Sequence, residues 1–201
     1  MPQLVIFRHG QSVWNLENRF TGWVDVELTD KGIQEAKEAG KKLNNFKFDY
    51  GYASEFRRTK ESLMIALKEC CQENIPVVFS RELNERRYGD LQGLNKSETA
   101  EKYGTEQVRL WRRSYDVAPP NGESLKDAAS RIIPYFEKEI KPKLSIGKYI
   151  VISAHGNTMR SIIMYLENIS PGQISQLEFS TGEMRMYEFD NNMSIKNITN
   201  L

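Results

Sequence analysis

Each of the two histidines of this chain lies shortly after an apolar run in the sequence and immediately before a glycine. His9 follows Leu4–Phe7 and Arg8, and His155 follows Tyr149–Ala154. Ligands of parallel sheets bind beyond the carboxyl ends of the strands, so two buried parallel strands would bring both imidazoles to one edge. A glycine after each histidine lets the backbone turn sharply or approach a ligand closely. Two imidazoles in the same local context favour a chemical role over a packing role.

Arginines are expected at the same edge. Arg8 precedes His9, and Arg58 lies in the first turn of the helix that follows the predicted strand Tyr50–Ser54. Guanidinium groups present a planar fork to phosphate or carboxylate oxygens, and clustered cations would hold a nearby histidine neutral and nucleophilic. Further candidates for this cluster are the pairs Arg86-Arg87 and Arg112-Arg113. The arginines predicted instead to be solvated surface charges are Arg57, Arg81 and Arg131.

A neutral histidine, fixed cations and an acid are the parts of a phosphoryl transfer site. The histidine attacks phosphorus, the cations stabilise the equatorial oxygens, and the acid protonates the leaving oxygen. The chain has no Walker glycine loop and no kinase signature, so a nucleotide is not the expected donor. The two histidines lack the close spacing of a zinc site, and Asp25, Glu27 and Asp30 do not form a calcium loop, so we predict no metal.

The elements that must position these residues alternate between strand and helix, which predicts an α/β fold. We expect a three-layer sandwich with a mainly parallel central sheet flanked by helices. Pro134 is expected to kink its helix, and Pro142 to end it. The predicted strands are Leu4–Phe7, Tyr50–Ser54, Pro76–Phe79, Tyr149–Ala154, Met184–Phe189 and Ser194–Ile198. The predicted helices are one through Leu43 capped by Thr29, Glu55–Glu73, Ser97–Ser114 with an interruption at Gly104, Leu125–Ile140, Asn157–Leu166 and a short one opening at Ser170-Pro171.

Length and charge limit the class of protein. The chain has 201 residues, and its 28 Lys and Arg against 27 Asp and Glu leave a formal charge of +1. This size predicts a single domain over residues 1–201, and the charge balance argues against binding to nucleic acid or an anionic membrane. We find no apolar run long enough to span a membrane and no secretory signal. Cys70 and Cys71 are interpreted as two reduced core thiols, which favours a cytoplasmic protein.

The segment Arg8–Ser12 resembles the histidine phosphatase superfamily, and further motifs narrow the likeness to the cofactor-dependent phosphoglycerate mutases. The resemblance covers the chain from Leu4 to about Gly182. The specific motifs are Leu83–Arg86, Tyr88-Gly89, Leu91–Lys96 and Trp111–Arg113. Similar residues also occur at Asn15, Thr21–Trp23, Leu28-Thr29, Pro119-Pro120, Gly122–Ser124 and His155–Asn157. The likeness implies a phosphoglycerate mutase-like fold.

The resemblance also implies a role for each matching residue. His9 would be phosphorylated on a ring nitrogen, and Arg8, Arg58 and His155 would surround the phosphoryl group in transfer. Glu85 would exchange a proton with the substrate hydroxyl. The residues implied to bind substrate are Arg8, Gln11, Ser12, Asn15, Thr21, Gly22, Arg58, Glu85, Arg86, Tyr88, Lys96, Arg112, Arg113, Gly156 and Asn157.

The implied reaction is the glycolytic and gluconeogenic interconversion of 2-phosphoglycerate and 3-phosphoglycerate, with 2,3-bisphosphoglycerate as both primer and intermediate. The family needs no metal, and the resemblance implies a homo-oligomer, with a dimer expected. Arg87 stands where relatives usually have histidine, and Thr59 stands where alanine is common. Two segments are shorter than in long-form members, the one between Pro120 and Tyr149 and the one after Gly182. Their length affects how the pocket closes and which subunit interface forms.

Two other functions compete with a mutase. A phosphatase of the same superfamily would also phosphorylate His9 and then pass the phosphate to water. A non-catalytic anion-binding domain would be expected to lose a nucleophile or acid, yet His9, His155 and Glu85 are all present. For Glu85 itself, the alternative is a surface carboxylate paired with Arg86.

Overall fold

One six-stranded sheet forms the centre of the molecule. The computed structural model describes residues 1–201. The strands are β1 (Gln3–Arg8), β2 (Tyr50–Ala53), β3 (Val77–Phe79), β4 (Tyr149–Ala154), β5 (Met184–Phe189) and β6 (Ile195–Asn200). Their order is β3-β2-β4-β1-β5-β6; the first four strands are mutually parallel, and β5 pairs antiparallel with both β1 and β6, so β5 alone runs in the opposite direction. The prediction of a mainly parallel sheet is therefore confirmed.

Helices cover both faces of the sheet. The helices are α1 (Val13–Leu16), α2 (Asp30–Leu43), α3 (Arg57–Glu69), α4 (Lys96–Tyr103), α5 (Thr105–Arg113), α6 (Leu125–Tyr135), α7 (Lys141–Ser145), α8 (Gly156–Glu167) and α9 (Pro171–Ile174). Tight 3₁₀ turns occupy Arg81–Leu83 and Gly89–Leu91. Helices α2 and α3 pack together, as do α6 and α8. No helix combines the length and apolarity that a membrane span requires.

Side chains alternate across the two central strands and so build two cores. Leu4 and Ile6 of β1 join an 18-residue cluster with α6 and α8, whereas Val5 and Phe7 join a 13-residue cluster with α2 and α3. All four side chains are completely buried. Burial on both faces is why these strands read as continuous apolar runs in the sequence.

The pairing of β1 with β4 sets the position of the chemistry. The two strands are parallel, and their register places Arg8 opposite Ala154. The next residue on each strand is a histidine, and the backbone N–H of His9 donates to the carbonyl of Ala154 at 3.0 Å. Two residues 146 positions apart in sequence, 155 minus 9, therefore become neighbours at one sheet edge.

Two local expectations need correction, and one short helix was missed. Pro142 does not end the helix, because the chain widens to π-helical spacing over Phe136–Ile140 and Pro142 then lies in the first turn of α7, where its missing N–H does little harm. Helix α1 was not predicted; it spans only four residues and is held by a Ser12 cap. Cys70 is buried as expected, but Cys71 is exposed because its backbone turns left-handed, with φ of +55°, at the end of α3.

Candidate active site

His9 is a buried, neutral imidazole whose orientation is fixed by the backbone. Its Nδ1 lies 2.7 Å from the carbonyl oxygen of Gly10. Because a carbonyl only accepts hydrogen bonds, Nδ1 carries the proton and Nε2 keeps its lone pair. Burial lowers the pKa of His9 well below its usual value, and the charges of Arg58 and Arg8 lower it further. The ring is therefore neutral, with burial as the larger cause and the two arginines as the smaller one, and its role as a nucleophile stays a prediction.

His155 lies edge-on to His9. The two ring centroids are 5.1 Å apart and the ring planes are inclined by 70°. Nε2 of His155 lies 2.8 Å from the Ser54 hydroxyl, whereas its buried Nδ1 has no partner. Burial lowers the pKa of His155 well below its usual value, and Arg58 adds to this effect. Nδ1 of His155 is therefore a buried polar atom without a protein partner.

Thr59 extends the hydrogen-bond chain behind His155. The Thr59 hydroxyl donates to the carbonyl of Phe56 at 2.9 Å and lies 2.6 Å from the Ser54 hydroxyl. Ser54, Thr59 and His155 are all completely buried. The threonine that departs from the resembled family thus links helix α3 to the second histidine through Ser54.

Arg58 lies in the first turn of α3, as predicted, and is almost completely buried. Its guanidinium donates to the carbonyls of Val24 and Gly22 at 3.0 and 2.9 Å, and it lies over the Phe56 ring at 4.7 Å. Burial lowers the pKa of Arg58 to about 10, so the side chain still carries its positive charge at neutral pH. A fixed cation is thereby held beside both imidazoles.

A small cavity of about 70 Å³ adjoins His9. Glu85 lines this cavity together with His9, so the expected acid and the expected nucleophile face the same space. The lining residues are Arg8, His9, Asn15, Arg19, Phe20, Thr21, Gly22, Arg58, Glu85, Tyr88 and Lys96.

A larger cavity of about 550 Å³ lies beside it and shares Arg8, Asn15, Glu85, Tyr88 and Lys96 with the small one. Six of its side chains are cationic and only three are acidic, which suits a ligand with several negative groups. The cationic residues are Arg8, Lys31, Lys96, Arg112, Arg113 and Arg160, and the acidic ones are Glu35, Glu85 and Glu178. Gln11, Gly156, Asn157, Phe179, Ser180 and Thr181 complete the wall with the shared residues.

Helix α8 adds backbone donors to this wall. It begins at Gly156, and its first turn has no side-chain cap. The N–H groups of an uncapped first turn are available to an anion, and the helix dipole favours negative charge there.

The two glycines that follow the histidines differ in the space around them. A Cβ at Gly10 would collide with the carbonyl of Gly32, whereas a Cβ at Gly156 would meet nothing closer than 3.9 Å.

Three residues of the predicted site line neither cavity. His155 lies behind His9 as described, and Ser12 is buried as the cap of α1, where its hydroxyl accepts the Asn15 N–H. Arg86 is completely buried and lies over the Tyr88 ring at 4.7 Å. Nε and Nη1 of Arg86 have no partner, so this guanidinium also has donors to spare.

Arg160 and the segment Glu178–Thr181 line the large cavity but were not predicted. Arg160 lies one turn after Gly156 on α8, and this i,i+4 spacing is a signal that helical periodicity offered. Burial lowers the pKa of Arg160 to about 10. Glu178 forms an ion pair with Arg113, and no pattern in its irregular segment pointed to that contact.

The prediction that Arg131 is a solvated surface charge is wrong. Its guanidinium is only 16% exposed, and it donates to the carbonyl of Glu85 at 2.9 Å. The same carbonyl accepts the Trp23 indole N–H at 2.5 Å. Arg57 and Arg81 are exposed, as expected.

The sequence and the fold of this chain resemble those of known proteins. A sequence profile of the histidine phosphatase superfamily (branch 1) matches residues 4–199. A protein of Cytophaga hutchinsonii named 2,3-bisphosphoglycerate-dependent phosphoglycerate mutase is 48% identical, over 99% of this chain and 93% of its own. A solved mycobacterial glucosyl-3-phosphoglycerate phosphatase in complex with VO3 is 22% identical, with a TM-score of 0.83 over 100% of this chain and 97% of its own. A solved phosphoglycerate mutase of Bacillus anthracis is 20% identical, with a TM-score of 0.77 over 100% of this chain and 92% of its own.

Proposed function

This chain belongs to the histidine phosphatase superfamily, branch 1, and from that membership we propose that it is a 2,3-bisphosphoglycerate-dependent phosphoglycerate mutase. It interconverts 2-phosphoglycerate and 3-phosphoglycerate through a phosphorylated His9. The observation that carries the proposal is the pair of adjoining cavities. The small one, at His9, suits a single phosphoryl group, and the large cationic one suits the rest of an anionic substrate.

The cycle begins with phosphate on Nε2 of His9, the ring nitrogen that keeps a lone pair in the free protein. The free hydroxyl oxygen of the bound phosphoglycerate attacks phosphorus, the N–P bond breaks, and the hydroxyl proton passes to Glu85. The product is 2,3-bisphosphoglycerate. After this molecule reorients, Nε2 attacks the phosphorus of its other phosphate, and the P–O bond breaks so that the oxygen stays on carbon. Glu85 then returns the proton to that oxygen. Phosphate and proton both balance over the cycle.

Four groups stabilise the phosphoryl group in transfer. Arg8 and Arg58 hold fixed positive charges beside His9, and burial strengthens their field. The His155 ring lies edge-on to His9 with the ring centroids 5.1 Å apart, which supports a role for it beside the phosphoryl group. The N–H groups at the start of α8 add donors at the same edge.

The remaining predicted residues bind the substrate. Lys96, Arg112 and Arg113 project into the large cavity, where they would hold the carboxylate and the second phosphate. Tyr88 and Asn157 are hydrogen bonded to each other at 3.4 Å and line the same wall. The other binding residues that we propose are Gln11, Asn15, Thr21, Gly22, Arg86 and Gly156, together with Ser12 through its cap of α1.

The experiment is to incubate the protein with 3-phosphoglycerate, a trace of 2,3-bisphosphoglycerate and a chelator. We expect 2-phosphoglycerate as the main product and no loss of rate on chelation. His9→Ala, purified in parallel, is the control and is expected to be inactive. Free phosphate as the main product would replace the mutase with a phosphatase, the second candidate, whose fold this chain shares. Unchanged turnover by His9→Ala would contradict both.

We further propose that residues 1–201 act as a single domain, as a homodimer, in the cytoplasm. All six strands belong to one sheet, which supports a single domain. The edge strand β3 leaves Val78 and Phe79 exposed, which supports self-association at that edge. Light scattering of the purified protein tests the dimer, and a monomer mass at enzymatic concentration would contradict it.

A further inference from the structure

We propose that Arg131 is a positioning residue that holds the acid–base group Glu85 in place through the Glu85 backbone. The proposal rests on the role proposed above for Glu85. Arg131 lies on helix α6, and Glu85 lies in an irregular segment that follows the 3₁₀ turn Arg81–Leu83. Neither helix nor sheet hydrogen bonds hold that segment. The Glu85 carboxylate accepts the backbone N–H of Arg86 at 2.7 Å, so its position depends on how the backbone of this segment is held.

All five donors of the Arg131 guanidinium are used. Nη1 donates to the carbonyls of Glu82 and Asn84 at 2.8 and 2.9 Å, and Nη2 donates to the carbonyl of Glu85 at 2.9 Å. Nε and Nη2 form a forked pair with the Glu123 carboxylate at 3.1 and 3.0 Å. Three carbonyls of one short segment therefore converge on a single planar group. Only arginine offers enough donors for such a contact.

Glu123 completes the clamp from the opposite side. Its Oε2 also accepts the backbone N–H of Arg87 at 2.8 Å. The Arg131–Glu123 pair thus binds the chain both at Glu85 and two residues beyond it. Both side chains are largely buried, at 16% and 21% exposure, so the pair is less screened by solvent than a surface ion pair.

Trp23 adds a second fixed contact at Glu85. Its indole N–H donates to the same carbonyl that accepts from Arg131, and the Arg131 guanidinium lies over the indole ring at 5.6 Å. Arg81 lies over the same ring at 5.1 Å, but its side chain makes no hydrogen bond to residues 82–85. Arg81 is therefore a matched control: it shares the cation–π contact and the charge, and it lacks the clamp.

Loss of the clamp should affect only the steps that need proton transfer. A general acid works within hydrogen-bond reach of the reacting oxygen, and a shift of about 1 Å can lower the rate by about 100-fold. Transfer to and from the alcohol oxygen of a phosphoglycerate needs that proton. Transfer from p-nitrophenyl phosphate to His9 does not, because p-nitrophenolate leaves as an anion. The two substrates therefore separate displacement of Glu85 from general damage to the site.

The experiment measures two rates in each variant: mutase kcat, and the single-turnover burst of p-nitrophenol from p-nitrophenyl phosphate. For Arg131→Met we expect mutase kcat to fall roughly 100-fold while the burst rate changes less than about 3-fold. Arg131→Lys keeps the positive charge but loses the fork, and we expect a fall of roughly 10-fold in kcat alone. Arg81→Met is expected to match the wild type. In a Glu85→Gln background, Arg131→Met should add less than about 3-fold to the loss in kcat.

The outcomes separate this proposal from the proposed function. If Glu85→Gln lowers mutase kcat but neither Arg131 variant does, the positioning role is refuted and the role of Glu85 stands. Equal loss of both rates in both Arg131 variants, including failure to fold, would show that Arg131 only stabilises the structure and would also refute the proposal. If Glu85→Gln leaves mutase kcat unchanged, the proposed role of Glu85 itself fails.

Discussion

Lowering the pH below 6.5 is expected to destabilise the protein through its two histidines. His9 and His155 are 3% and 0% exposed. Burial lowers the pKa of each well below the value near 6.5 expected in the unfolded chain, and the charge of Arg58 lowers both further. Both rings therefore remain neutral in the folded protein at a pH where the unfolded chain protonates them.

The sign and the size follow from proton linkage. Below pH 6.5 the unfolded state binds more protons than the folded state, so the free energy of unfolding falls as the pH falls. Each histidine that stays neutral contributes at most about 1.4 kcal/mol per pH unit, and the pair at most about 2.7 kcal/mol per pH unit. The full contribution is present above pH 6.5. Carboxylates with a lowered pKa, such as Asp127, lose their contribution only near pH 4 and below, outside this window.

Urea unfolding between pH 7.5 and pH 5.5 measures this slope. The variants His9→Gln and His155→Gln are each expected to show a slope shallower than that of the wild type by up to about 1.4 kcal/mol per pH unit. Slopes are compared rather than absolute stabilities, so the packing cost of each substitution cancels. Superimposable slopes for the wild type and both variants would refute the conclusion that the rings are neutral because they are buried.

Four further predictions concern single residues. Glu85→Gln should lower mutase kcat by roughly 10²–10⁴-fold, as measured by 2-phosphoglycerate formation, and weakened binding at normal saturated turnover would contradict its acid–base role. Arg112→Ala should raise KM more than it lowers kcat in steady-state kinetics, because this wall residue of the large cavity would bind ground state and transition state alike; a fall in kcat at constant KM would argue otherwise. Glu178→Gln should lower KM by about 2–5-fold, because Glu178 is 65% exposed and its ion pair with Arg113 is correspondingly weak; an unchanged or raised KM would show that the pair does not compete with substrate. Gly89→Ala should destabilise the fold by more than about 1 kcal/mol in urea unfolding, since φ is +56° and a Cβ would collide with a facing carbonyl; a urea unfolding curve equal to that of the wild type would contradict this.

Much of the scaffold could be predicted because its signals are local. The bounds of Tyr149–Ala154 and Met184–Phe189 agree with the sequence prediction, since a run of apolar or alternating residues defines a strand by itself. The long helices were also placed, with errors of a few residues at their ends. The π-helical turn at Phe136–Ile140 was missed, because local spacing in the sequence carries no sign of a register shift inside a helix.

The residues of the candidate site likewise fall into those that a local signal predicted and those that it did not. Residues next to a strand end, such as His9 and His155, could be placed because parallel strands share an edge. Arg131 could not, because its partners are backbone carbonyls of an irregular segment, and hydrogen bonds to such a segment leave no periodic trace in the sequence. Arg160 lies between these cases, since helical spacing from Gly156 pointed to it once α8 was known.

By itself, the amino-acid order determined that this chain forms a layered α/β protein with two imidazoles and several guanidinium groups at one sheet edge. It could do so because apolar periodicity and strand ends are local features of the sequence. The tertiary structure alone decided which arginines face the cavity, which nitrogen of His9 is free and which arginine clamps Glu85. Those outcomes depend on which atoms distant segments bring within hydrogen-bond distance, and on how much water the packing removes from them.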